Sequence, residues 1–208
     1  MAENEDFFDE KIVEFRRRAR KEKYSTLETG MYIKDELVEF KEQKLFHDKL
    51  SIILPTTFVD LPTNLAKLKY TSEQRPQIIK TSLDTTVNLG INMLNVDIQD
   101  EQIESLLEQA KTALKRMNPA MTFYDSKVEK DPMTLGWFEF KSFGLDSNVY
   151  NLMFVTRVGG KMVQGVFNCI YEDALEWRDA AHQMVNSIRD ITERGKDNEG
   201  TENHGGTV

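Results

Sequence analysis

The chain has 208 residues, of which 35 are acidic and 27 basic, so its net charge is −8. This length suits one domain with appendages, and the negative charge argues against general binding to nucleic acids or anionic membranes, which need a basic surface. A single cysteine, Cys169, excludes a disulfide framework within the chain. The N-terminus is acidic where a signal peptide would be basic, and no apolar run reaches the ~18 residues of a membrane helix. We therefore expect a cytoplasmic protein without membrane insertion.

Residues 1–24 are predicted to form a helical arm. Apolar residues recur there with the spacing of one helix face, at Phe8, Ile12, Phe15 and Ala19. Acidic residues are concentrated in the first half of the arm and basic residues in the second half. This distribution matches the helix dipole. Alternatively, the basic residues form a docking site for an acidic partner. Phe7 and Phe8 are candidate partner-binding residues. Residues 25–35 are expected to be a polar linker.

The main domain is expected over residues 36–194 and opens with two pairs of strands. The runs LVEFKEQKLF and LSIILP form the first pair, joined near His47. The runs QIIKTS and TTVNLGINML follow Pro76 and form the second pair. A helix is predicted from Asp100 to Met117, because its apolar residues form one stripe and Asn118-Pro119 stops it.

Four strands and a final helix are predicted next, with the strands at 121–129, 134–143, 148–158 and 161–171. The last helix is expected to begin at Asp173, with Glu176 as its capping-box partner, and to end at Gly195. Residues 195–208 contain no apolar side chain before Val208, so a disordered tail is expected.

The glycine pair Gly159-Gly160 predicts a two-residue turn that pairs Val158 with Lys161 and fixes the hairpin register. One face then carries three core pairs: Phe154 with Gly165, Leu152 with Phe167, and Tyr150 with Cys169. The other face pairs Met153 with Val166 and Asn151 with Asn168, and it is too apolar to be simply solvated. We expect a cover on this face, which is either a helix of the chain or a partner. The two asparagines form a possible amide pair.

No catalytic, metal or cofactor residues are predicted. The three histidines are scattered along the sequence, and the sequence has none of the phosphate-loop, nucleophile-elbow or zinc-protease patterns. The segment KYTSEQRPQIIK places Tyr70 and Arg75 in a loop before a strand, where binding groups often lie, and Tyr150 is expected near them. Trp137 is a candidate interaction residue if it is exposed.

Three segments carry a resemblance to a known family: FHDKLSIILPTTFVDLP, NLMFVTRVGGKMVQGVFNC and EWRDAAHQMVNSI. Together with the order of predicted elements, they are similar to the Mog/PsbP-like α/β family over about residues 36–192. That family includes Ran-binding Mog proteins, photosystem PsbP proteins and bacterial DcrB-like proteins. The resemblance implies an α+β fold, with an antiparallel sheet of about six or more strands packed against two main helices. It also implies a largely non-enzymatic role, which in one DcrB-like branch is that of a chaperone for secretion-system effectors.

The leading functional hypothesis is a non-enzymatic cytoplasmic protein, an adaptor or secretion-associated chaperone, that binds a protein through an apolar sheet face or groove. One alternative is a small-molecule binder or enzyme with a pocket near Tyr70 and Arg75. Another is a structural component that forms oligomers through residues 1–24. The candidate partner-binding residues are Phe7, Phe8, Tyr70, Arg75, Trp137, Met153 and Val166.

Overall fold

The computed structural model describes residues 2–69, 75–144 and 147–192, without the side chains of residues 2–10, 68 and 69. The expected disordered tail, the side chains of Phe7 and Phe8, and Tyr70 therefore lie outside the described residues. Within the described part, no helix has the length and apolarity needed to cross a bilayer.

The fold is α+β, as predicted. The helices are α1 (Ala2–Lys23), α2 (Thr63–Lys69), α3 (Ile103–Met117) and α4 (Ala174–Asn186). The strands are β1 (Ser25–Thr26), β2 (Gly30–Ile33), β3 (Glu36–Val38), β4 (Phe40–Leu45), β5 (Leu50–Pro55), β6 (Val59–Asp60), β7 (Ile78–Thr81), β8 (Asn88–Asp97), β9 (Thr122–Glu129), β10 (Leu135–Phe143), β11 (Asn148–Val158), β12 (Lys161–Ile170) and β13 (Arg189–Asp190). The main sheet is antiparallel, with seven strands in the order β6-β7-β8-β12-β11-β10-β9.

The β11–β12 hairpin has the predicted register. Val158 pairs with Lys161, Phe154 with Gly165, and Met153 with Val166. The aromatic ring of Phe154 lies directly over Gly165, since a Cβ atom built on Gly165 would be 2.4 Å from Phe154 Cζ. A glycine in the middle of a strand therefore gives room to a core phenylalanine.

Both faces of the main sheet are covered by elements of the chain. The first face, which carries Phe154 and Phe167, packs with Trp177 and Met184 of α4 in the main core. The second face packs against α3 through a cluster around Phe138, Phe140, Val155 and Leu107. Near the other end of the sheet, Ala66 of α2 packs on Ile79. The cover expected on the second face is thus supplied, in large part, by the chain's own helices.

Residues 25–38 form a small sheet of three strands, β1-β2-β3, where we expected a polar linker over residues 25–35. Met31 and Ile33 of β2 are buried in the main core. The strands were not predicted because β1 and β3 are short and mostly exposed, so that only β2 has the apolar residues typical of a buried strand. The ordered domain therefore includes this segment.

The start and end of α4 also differ from the prediction. Asp173 makes no side-chain cap, because its carboxylate forms an ion pair with Lys34 Nζ, and Glu176 accepts a hydrogen bond from Lys21 Nζ at 2.8 Å instead of closing a capping box. The helix ends at Asn186, well before Gly195. Ser187 donates from Oγ to the Met184 carbonyl at 2.6 Å and accepts from the Ile53 amide at 2.8 Å. The chain then continues into β13, which pairs with β5.

Candidate functional site

A buried carboxylate lies at the centre of the sheet face below α4. Glu139 interrupts the aromatic run WFEF of β10, and strand alternation places it on the same face as Trp137. Its side chain is 2 % exposed. A carboxylate this well buried is tolerated only when it is paired and hydrogen-bonded, so its partners define the local structure.

Three side chains donate hydrogen bonds to Glu139. Tyr150 of β11 donates its hydroxyl to Oε1 at 2.7 Å. Arg178 of α4 donates from Nε to Oε1 at 2.7 Å and from Nη2 to Oε2 at 2.8 Å, which is a bidentate pair. His182 donates from Nε2 to Oε1 at 2.7 Å. Arg178 and His182 reach the same carboxylate because residues four apart lie on one face of a helix. We call these four residues the Glu139 cluster.

The hydrogen bonds keep Glu139 ionised. Burial by itself raises the pKa of this carboxyl, but the hydrogen bonds from His182, Arg178 and Tyr150 outweigh it and lower the pKa to about 2. Burial and the bond to Glu139 raise the pKa of Tyr150. The bond to Glu139 also raises the pKa of Arg178, so the guanidinium stays charged. The cluster is therefore a fixed arrangement of charges that locks α4 onto β10.

Trp137 lies under α4 beside this cluster. Its ring meets the His182 ring edge-on, with centroids 4.4 Å apart, and only 8 % of the residue is exposed. Trp137 was a candidate interaction residue only if it was exposed, and the structure does not meet this condition. Because strand alternation turns it toward α4, it belongs to the core and not to the accessible surface.

A pocket of about 310 Å³ opens from the Glu139 cluster to the surface. We call it the tyrosine pocket, and its lining residues are Tyr124, Asp125, Glu139, Tyr150, Tyr171, Ala174, Leu175 and Arg178. The hydroxyls of Tyr124 and Tyr171 are hydrogen-bonded at 2.9 Å, and this bond, together with burial, raises the pKa of Tyr124 to about 12. Arg178 Nη2 also donates to Asp125 at 2.9 Å.

The mouth of the tyrosine pocket combines apolar surface with an exposed strand edge. Leu175 is 90 % exposed although it is a large apolar residue. Lys141 Nζ lies 4.4 Å from the centroid of the Tyr171 ring, a cation–π arrangement that holds this ring in place. Tyr124 and Asp125 belong to β9, which forms an edge of the seven-stranded sheet. Fixed aromatic rings, an exposed leucine and a strand edge are features that can contact another polypeptide.

The remaining predicted residues do not share one site. Met153 packs in the cluster below α3, and Val166, half-buried, lies opposite it on the second sheet face. Arg75 is half-buried and precedes Pro76, which lies so close to Gly90 that a Cβ atom there would be 2.6 Å from Pro76 Cγ. Because Gly90 pairs with Val166, this segment crosses the second face.

Tyr150 lies on the first face, with Glu139. The expected pocket that combines Arg75 with Tyr150 is therefore wrong.

Asn151 and Asn168 are opposite each other in the strand register, as predicted, but the hydrogen bonds of their side chains go to other residues. Asn168 accepts from Asn88 at 3.1 Å, and Asn151 donates to the Phe140 carbonyl at 3.3 Å, so the two amides bond to neighbouring strands on opposite sides.

Sequence reasoning missed Glu139, Arg178, Tyr171 and Leu175 as site residues. Two features of the sequence could have indicated Glu139 and Arg178. Glu139 is a charged residue in the middle of an aromatic strand, and Arg178 precedes a histidine by four residues on one helix. Among the described residues, no group of histidine, cysteine and acidic side chains has the arrangement of a metal site.

No protein-family model matches the chain, and no curated protein matches it in sequence. Solved structures do match. The cyanobacterial PsbP protein (CyanoP) of Synechocystis aligns over 74 % of this chain and 94 % of its own, with a TM-score of 0.54 and 10 % identity. LpqN of Mycobacterium tuberculosis, which is involved in cell envelope biogenesis, aligns over 81 % of this chain and 98 % of its own, with a TM-score of 0.51 and 13 % identity.

The Ran-binding protein Mog1p of Saccharomyces cerevisiae aligns over 76 % of this chain and 98 % of its own, with a TM-score of 0.49 and 12 % identity. At identities this low, the similarity is one of fold. The agreement with CyanoP and LpqN extends over most of each chain, and the sheet and helices described above match the architecture expected from the sequence. The chain has the Mog/PsbP-like fold.

Proposed function

We propose that the chain is a non-enzymatic protein-binding module, an adaptor or secretion-associated chaperone in the cytoplasm. In this proposal it binds an extended segment of a partner along β9, with an apolar side chain of that segment in the tyrosine pocket. The observation that carries the proposal is the position of this aromatic pocket beside an exposed strand edge. The secretion-associated part comes from the sequence resemblance to DcrB-like proteins, and the cytoplasmic part is the expectation drawn from the sequence.

The chemistry of the tyrosine pocket favours an apolar side chain of the partner as its ligand. Its charged groups already have partners, since Arg178 is bonded to both Glu139 and Asp125. The surfaces left for a ligand are the tyrosine rings and Leu175, and a large aliphatic residue that is 90 % exposed is the kind of group that a partner buries. Tyrosines fixed by hydrogen bonds lose little conformational entropy on binding, which favours affinity.

The exposed edge of β9 favours a partner segment in extended conformation. An edge strand has unpaired amide and carbonyl groups along its outer side, and a partner in extended conformation can pair with them. The charges of Asp125, Lys127 and Glu129 on β9 are typical of edges that avoid unspecific pairing. Recognition at this edge is therefore expected to depend on the pocket as well as on the backbone.

The Glu139 cluster supports a binding role over a catalytic one. A general base needs a pKa near the working pH, whereas four hydrogen bonds lower the pKa of Glu139 to about 2. The cluster instead fixes one wall of the pocket. The apolar second sheet face, for which we expected either a helix of the chain or a partner as cover, packs in large part on α3, so the proposed surface lies on the opposite side of the sheet.

A peptide-display selection on the full chain tests the proposal. We expect selected peptides to contain a large apolar residue, and we expect their affinity to fall at least tenfold with Leu175→Asp or Tyr124→Ser. The matched control is Leu83→Asp, at another exposed leucine, which lies in the turn between β7 and β8. Hydrogen exchange should slow in β9 when a selected peptide binds. Failure to enrich any peptide, or equal affinity for wild type and both pocket variants, would contradict the proposal.

A further inference from the structure

Helix α1 exposes an apolar stripe that none of the other described residues covers. Residues 11–20 are all exposed, and among them Phe15 is 73 % exposed and Ile12 is 45 % exposed. Phe8, Ile12 and Phe15 recur at the spacing of one helix face. A helix of this length in water obtains most of its stability from packing of such a face, so an uncovered stripe indicates a missing partner.

The C-terminal end of α1 is held firmly against the domain. Lys21 Nζ lies 2.8 Å from Glu176 of α4, and Arg17 Nε lies 2.8 Å from Asp35 in the β2–β3 turn. The rings of Tyr24 and Tyr32 meet edge-on at 5.6 Å. These contacts join the C-terminal end of α1 to β2 and α4.

A groove of about 360 Å³ lies between α1 and the β2–β3 turn. Its lining residues are Val13, Arg16, Arg17, Arg20, Lys21, Tyr32 and Asp35. Four cations face one carboxylate there, and Val13 and Tyr32 supply apolar surface. Arg17 and Lys21 are used in the contacts with Asp35 and Glu176, while Arg16 and Arg20 line the groove without a described ion pair. The groove suits an acidic segment that also carries large apolar residues.

The first half of α1 has this composition. It contains the acidic residues Glu3, Glu5, Asp6, Asp9 and Glu10 and, between them, Phe7 and Phe8. Because α1 is one continuous helix from Ala2 to Lys23, its first half cannot turn back into the groove beside its second half. A second copy of the chain can supply the same segment.

We propose that two copies of this chain associate through antiparallel α1 helices, each placing its acidic half in the basic groove of the other. Such an interface is isologous, so one arrangement fills both grooves at once. The change from acidic to basic residues falls near Ile12 and Val13, so the charges favour a crossing at this point, where Val13 of each groove supplies apolar contact. The proposal uses residues different from those of the tyrosine pocket and stands independently of it.

Charge-swap variants of the full chain, studied by sedimentation equilibrium, test this proposal. Wild type should reach twice the mass of one chain and dissociate as salt is raised to about 1 M, where the screening length falls to about 3 Å. Glu5→Lys/Asp9→Lys and Arg16→Glu/Arg20→Glu should each weaken self-association at least tenfold. Mixing the two variants should restore a dimer, because each acidic segment again meets a basic groove.

The matched control is Lys115→Glu/Arg116→Glu at the exposed end of α3, which should leave the dimer unchanged. Far-ultraviolet circular dichroism checks that every variant is folded. A wild-type chain that stays monomeric at all concentrations would overturn the proposal. A dimer that survives both arm variants, or a mixture that stays monomeric, would overturn it as well.

Discussion

Glu139 of β10 and His182 of α4 are joined by a 2.7 Å hydrogen bond between Oε1 and Nε2, although 43 residues separate them in sequence. With Arg178, this contact connects the centre of the main sheet to the helix that covers it. The ring of His182 also lies against Trp137. The position of α4, and hence of the tyrosine pocket, therefore depends on this buried carboxylate as well as on the apolar packing of Trp177 and Met184.

We expect Glu139→Gln to change how stability depends on pH. The pKa of the Glu139 carboxyl falls from 4.5 to about 2 in the folded state. A lowered pKa stabilises the fold above the unfolded value, and this contribution is lost as pH falls from about 4.5 toward 2. It amounts to about 3–4 kcal/mol at most, at 1.36 kcal/mol for each pKa unit.

The measurement is urea unfolding of wild type and variant across this pH range. The free energy of unfolding of wild type should fall more steeply with acid than that of Glu139→Gln. Asp125→Asn, at an exposed carboxylate that also contacts Arg178, is the matched control and should follow wild type. Parallel curves for wild type and Glu139→Gln would contradict the prediction.

Substitution of Trp137 is predicted to lower the free energy of unfolding strongly, whereas substitution of Leu175 is predicted to leave it nearly unchanged. Trp137→Ala should lower the free energy of unfolding by about 3–5 kcal/mol, because it removes a buried ring next to His182. Leu175→Asp should change it by no more than about 0.5 kcal/mol, because that side chain is in solvent. Chemical denaturation measures both. The division between core and surface would be wrong if Leu175→Asp were the more destabilising change.

The hairpin and the Glu139 cluster differ in how far sequence determines them. Gly159-Gly160 sets the β11–β12 turn, and alternation along each strand then fixes every pair up to Val149 with Ile170. This is local information, so it could be predicted. The same alternation placed Phe154 over Gly165.

The Glu139 cluster could not be predicted in the same way, because its geometry is set by the packing of α4 on the sheet. Arg178 is 39 residues from Glu139 and its role depends on where α4 crosses β10. Sequence periodicity predicted an amphipathic helix and its approximate start, but neither the point at which it crosses β10 nor its end at Asn186. The strands at 25–38 were missed for a related reason: Met31 and Ile33 gain their burial from distant core residues.

Cys169 is predicted to be unreactive in the folded chain. It is 1 % exposed, and burial raises the pKa of its thiol to about 12, so almost no thiolate forms near neutral pH. Modification by a thiol reagent at pH about 8 should be at least about a thousandfold slower in buffer than in denaturing urea, since reaction requires unfolding of a stable core. The modification rate should follow the unfolded fraction as urea increases. Rapid modification in buffer would show that the end of β12 opens locally.

The contact between Phe154 and Gly165 gives a test of the sheet core. Gly165→Ala should destabilise the fold by about 1–3 kcal/mol, because the added Cβ atom would lie 2.4 Å from Phe154 Cζ and 2.7 Å from the Gly90 carbonyl oxygen. Replacing Phe154 by Leu removes the ring but leaves the Gly90 backbone in place. Urea unfolding of both single variants and the double variant measures the coupling between the two sites.

The double variant should be more stable than the sum of the single effects predicts, by about 1 kcal/mol, because the two changes relieve each other. Part of the cost of Gly165→Ala should remain, since the clash with the Gly90 carbonyl lies on the neighbouring strand and cannot be relieved by a side-chain rotation. Purely additive effects would mean that the ring of Phe154 is not what requires glycine at position 165. In that case the approach of the β8 backbone alone would account for it.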